Sequence, residues 1–119
     1  MDYQKLYNDF LERYNRSETS PSEAGELLVR ISGMFPNYNM EAIKAERAYA
    51  LVCRDEVSKT EETTGKAVSS AKAETIANAS VEASAFKTAK GHVANIEMLI
   101  GSLKFLQRAL EAEYTSSNI

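Results

Sequence analysis

The sequence predicts an all-α fold, a helical bundle of four to five helices that ends in one long C-terminal helix. Three observations carry that prediction: apolar residues recur three and four positions apart, a strong helix start signal sits at Ser20-Pro21, and an unbroken heptad seam fills the last third. With 119 residues, 44% of them hydrophobic and 26% charged, the chain has the composition of an ordinary globular protein. That length suits a single helical domain over residues 1–119 with one modest core.

Tyr3, Leu6, Tyr7, Phe10, Leu11 and Tyr14 fall on one stripe of a first helix. Tyrosines on such a stripe mark a half-buried edge whose hydroxyls reach water. Ser20 is placed to cap a second helix, with Pro21 at its first position and Glu23 reaching back to complete a capping box. Ala24, Leu27, Leu28, Ile31, Met34 and Phe35 continue the helical period, and Gly33 followed by Pro36 predicts its end. A third helix, capped by Asn37 or Asn39, then runs to about Ser58 with Ala42, Ala45, Tyr49, Val52, Cys53 and Glu56 on one side, although Glu56 with Asp55 reads as an ordinary solvated charge.

Residues 58–65 hold no apolar side chain and end in glycine, which predicts an exposed loop over about 58–66. An alanine-rich helical stretch follows from Val68 to Ala79, and Ser80 either caps a new helix or lies inside a continuing one. Beyond it, Phe86, Ala89, Val93, Ile96, Ile100, Leu103, Gln107, Leu110 and Tyr114 alternate spacings of three and four as heptad a and d positions. A second apolar line, Ala94, Met98, Gly101, Phe105 and Ala112, runs along another side of the same segment. One helix from about Ser80 to Tyr114 would be about 50 Å long, more than a compact domain of this size covers. The second line therefore predicts self-association through Ala94, Met98, Gly101 and Phe105, unless Gly91 or Gly101 breaks the helix and both faces are internal.

Composition excludes several classes of function. No apolar run approaches the roughly 18 residues of a membrane span, and the N-terminal residues read as an amphipathic helix rather than a signal peptide. A cytoplasmic location is expected, in keeping with a lone cysteine, Cys53, that has no intramolecular disulfide partner. The net charge of −3 is not that of a dedicated nucleic-acid binder. Its distribution is uneven, with 12 acids and 8 bases before residue 66 and 5 acids and 6 bases after.

Catalytic and metal chemistry find no constellation in the sequence. Gly65-Lys66 lacks the rest of a phosphate-binding loop, and the position three before the only histidine, His92, is Ala89 rather than a glutamate. Cys53 falls on an apolar face, as a buried inert thiol does, and nothing in the spacing joins it to His92. No catalytic residue, metal ligand or cofactor is expected. Between residues 66 and 92, however, Lys66, Lys72, Lys87 and Lys90 are opposed only by Glu74 and Glu82. They are either a solvated helix face or, repeated around an oligomer, a phosphate-binding strip.

The segment from Gly65 to Glu74, followed by Ile96 to Lys104, resembles small helical phage proteins of the T4-type recombination-mediator kind. The resemblance covers about the C-terminal half and rests on alanine-rich helix and leucine-lysine periodicity. It implies an oligomer that helps to load a recombinase on single-stranded DNA, with Lys66, Lys72 and Lys104 at basic contact positions. Unlike those mediators, the chain is acidic overall. The expected function is thus a non-enzymatic, self-associating accessory protein, phage-borne and acting in recombination or replication. The alternative is a phage-type inhibitor that blocks a host protein, with the second apolar stripe facing that partner.

Overall fold

The computed structural model describes residues 2–59, 65–66 and 69–117. Among them are four helices and no strand: α1 over Tyr3–Asn15, α2 over Pro21–Ser58, α3 over Ser70–Asn78 and α4 over Val81–Ser117. The fold is all-α, with the long C-terminal helix that the heptad seam predicts.

One expected helix end is absent, and the continuity of the last helix is decided. Helix α2 runs through Gly33 and Pro36 without stopping, so the second and third helices read from the sequence are one helix of 38 residues. Pro36 has no N–H to give the Ser32 carbonyl, which ordinarily costs about 3 kcal/mol inside a helix. Pro36 itself is exposed, and apolar side chains continue the helical period on both sides of it. Helix α4 likewise passes Gly91 and Gly101 unbroken for 37 residues. The break that would have buried both its faces inside one bundle does not occur.

The start signals explain where the helices begin. The Asp2 carboxylate accepts the Gln4 amide at 2.9 Å and caps α1. Ser20 Oγ accepts the Glu23 amide at 3.2 Å, and the Ser20 carbonyl accepts that of Ala24, as the sequence predicts. The reciprocal half of the capping box is replaced by an ion pair, in which Arg13 Nη2 donates to Glu23 Oε2 at 2.6 Å and also to the Glu18 carbonyl. The turn between α1 and α2 thereby gains a clasp, with Ser17 in the left-handed region at φ +58°. Ser69 caps α3 by accepting the Lys72 amide at 3.2 Å. Ser80 caps α4, accepting the Ala83 amide at 3.1 Å, which decides between the two roles open to it. Of the expected loop, Ser58 belongs to α2, Lys59, Gly65 and Lys66 are exposed, and residues 60–64 lie outside the described residues.

The chain divides into two compact units. The first, Met1–Pro36 with Ala94–Ile119, buries Tyr3 and Phe10 of α1, Ala24, Leu27 and Ile31 of α2, and Ile96, Leu103, Leu106 and Leu110 of α4. Ile31, Ile96 and Leu103 are fully buried, and Tyr7 of α1 shares a 2.7 Å hydrogen bond with Ser102 Oγ of α4. The second unit, Asn37–Val93, buries Ala73 and Ala77 of α3. Small residues at those positions let helices approach closely. Aromatic pairs add to this packing, Tyr49 stacking on Phe86 with centroids 6.0 Å apart and Tyr38 tilted on His92 at 5.3 Å.

Candidate self-association face

Helix α4 owes its interest to the contrast between two of its faces within the first unit. Ile96, Leu103, Leu106 and Leu110 are buried, while Leu99 and Ile100 flank them half-buried. Around the helix from that seam, Ala94, Met98, Gly101 and Phe105 are all exposed, with Met98 at 66% and Phe105 at 69% of full exposure. The four predicted residues thus share one open, apolar stripe. Space above it is free, since a Cβ built on Gly101 would meet nothing within 4 Å. The face can bury apolar surface and admit a close approach, and it carries no catalytic chemistry.

The lysines read from the sequence fall in both units. Lys66, Lys72, Lys87 and Lys90 are exposed in the second unit, whereas Lys104 lies in the first. The Lys90 ammonium stands 5.7 Å from the centroid of the Phe86 ring, a cation–π contact that ties it to its own helix. Lys87 lines a polar groove of about 520 Å³ with Tyr49, Asn78 and Ser80.

Cys53 is half-buried rather than enclosed. It neighbours the Tyr49 phenol, whose ionisation is pushed up first by that neighbour and next by burial. Tyr49 donates to Asn78 Oδ1, so one phenol links α2 to α3. Glu56, read as a solvated charge although the helical period sets it on the Cys53 side, is mostly buried and paired with Lys59 at 2.7 Å, which raises the lysine's pKa. Among the described residues no group of three or more His, Cys, Asp or Glu side chains could hold a metal ion, and no helix is long and apolar enough to cross a membrane.

Comparison with known proteins finds no family model, no curated protein and no solved structure that matches the chain.

Proposed function

We propose that the chain is a non-enzymatic, self-associating accessory protein of the cytoplasm, whose working surface is the Ala94–Phe105 face of α4. One observation carries this reading: Met98 and Phe105 stand two-thirds exposed on a helix whose opposite seam is already filled by its own chain. Soluble monomers seldom leave a contiguous apolar stripe in water, and a second copy offers the cover that the chain itself does not. The recombination or replication role implied by the phage-protein resemblance would use this oligomer to repeat Lys66, Lys72, Lys87 and Lys90 around a single-stranded DNA.

The test is molar mass in solution over a wide concentration range, for the unmodified chain and for Phe105→Asp. A mass that rises with concentration and is lost in the variant supports the reading. A monomer whose exposed stripe instead captures another protein would favour the inhibitor reading.

A further inference from the structure

We propose that the second copy lies antiparallel on this face, about a two-fold axis that crosses α4 between Leu99 and Ile100. This arrangement presupposes the self-association proposed above and adds its orientation and register. Along the stripe the order is small, large, small, large: Ala94, Met98, Gly101, Phe105. Spacings of four, three and four make these the d, a, d and a positions of a heptad. In a parallel, in-register pair, like would face like. Phe105 would crowd Phe105 while Gly101 and Ala94 left gaps opposite their own copies. Turned antiparallel about that axis, Phe105 falls over the partner's Ala94 and Met98 over the partner's Gly101. Each protruding side chain then meets a residue that leaves room for it, and the space over Gly101 is open.

Charge selects the same register independently. Glu97 and Lys104, the g positions one heptad apart, line one flank of the stripe, and both are exposed. Neither has an opposite charge three or four residues away on α4. The antiparallel pair sets Glu97 of each copy beside the partner's Lys104, and the two-fold repeats the ion pair. Sliding the copies until Phe105 covers the partner's Gly101 instead brings Lys104 beside Lys104 and Glu97 beside Glu111, which repel. The opposite flank, Asn95, Ser102 and Ala109, is uncharged and opposes neither register.

Two measurements test the arrangement on the full chain. Glu97→Lys and Lys104→Glu should each weaken self-association about tenfold, because each breaks two ion pairs and creates two repulsions. The double variant should return the affinity to that of the unmodified chain. Spin labels on Glu111→Cys, in a Cys53→Ala background, should lie at least about 35 Å apart in the oligomer, from a rise of about 1.5 Å per residue on either side of the axis. A pair with labels within roughly 20 Å, as helices packed about 10 Å apart in parallel would give, overturns the antiparallel arrangement and leaves self-association standing. Failure of the double variant to recover overturns the register. A chain that is monomeric at every concentration overturns the self-association reading itself.

Discussion

Replacing Phe105 and Leu103, two residues apart on α4, should have opposite consequences. Phe105 is 69% exposed and Leu103 fully buried. A phenylalanine side chain offers about 200 Å², so roughly 140 Å² of Phe105 is in water in the single chain. A symmetric pair covers that area twice, which at about 25 cal/mol per Å² contributes about 7 kcal/mol before the cost of association is subtracted. Phe105→Asp removes this and places two carboxylates in the interface, so the oligomer should dissociate while helix content stays unchanged. Leu103→Ala instead opens a cavity in the first unit, costing about 2–5 kcal/mol and lowering Tm by roughly 10 °C or more. Circular dichroism melts and light scattering on both variants separate the outcomes. If Phe105→Asp unfolded the chain as a core substitution does, the stripe would be internal packing and the reasoning from exposure would fail.

Three further outcomes are expected. Ser20→Ala removes the acceptor of the Glu23 amide and should cost about 1 kcal/mol, a fall of about 4 °C in Tm, although the Arg13–Glu23 clasp remains; an unchanged melt would mean that the clasp alone fixes the start of α2. Tyr49 should ionise above the ordinary tyrosine range in a spectrophotometric titration, and Cys53→Ala should bring it back toward that range. Because its folded pKa is raised, the contribution to stability is present below the ordinary tyrosine range and is lost as pH rises through the folded value. If the recombination role holds, single-stranded DNA should bind with a log–log salt slope of about −3 for four lysine contacts, as read by fluorescence anisotropy. Binding untouched by charge reversal at Lys66, Lys72, Lys87 and Lys90 would remove that role.

How far the sequence could be read depended on what kind of signal each element carried. Where burial and period coincide, as for Phe10 in α1 or Ile96, Leu103 and Leu110 in α4, spacing alone located both helix and core, whereas Tyr3, read as a half-buried edge, is buried. Ser20 could be placed as a cap because its acceptor role is local, whereas Ser80 stayed open between two roles until the fold decided it. The end assigned at Gly33 and Pro36 was misleading for the reason that local rules often are: proline's penalty is real, but packing on both sides of it exceeds one lost hydrogen bond. Other partners were not legible because they depend on which distant residues meet. The Tyr7–Ser102 and Tyr49–Asn78 hydrogen bonds and the Arg13–Glu23 clasp have no signature in spacing. The apolar stripe was legible as a pattern, and its exposure came only with the fold.

The central claim, that the Ala94–Phe105 face is covered by a second copy, is tested most directly by sedimentation equilibrium on the unmodified protein from low micromolar to near-millimolar concentration. The mass should climb from 13.2 kDa toward a multiple of it, while Phe105→Asp stays at the single-chain value throughout. An unmodified chain that remains at 13.2 kDa across the whole range contradicts it.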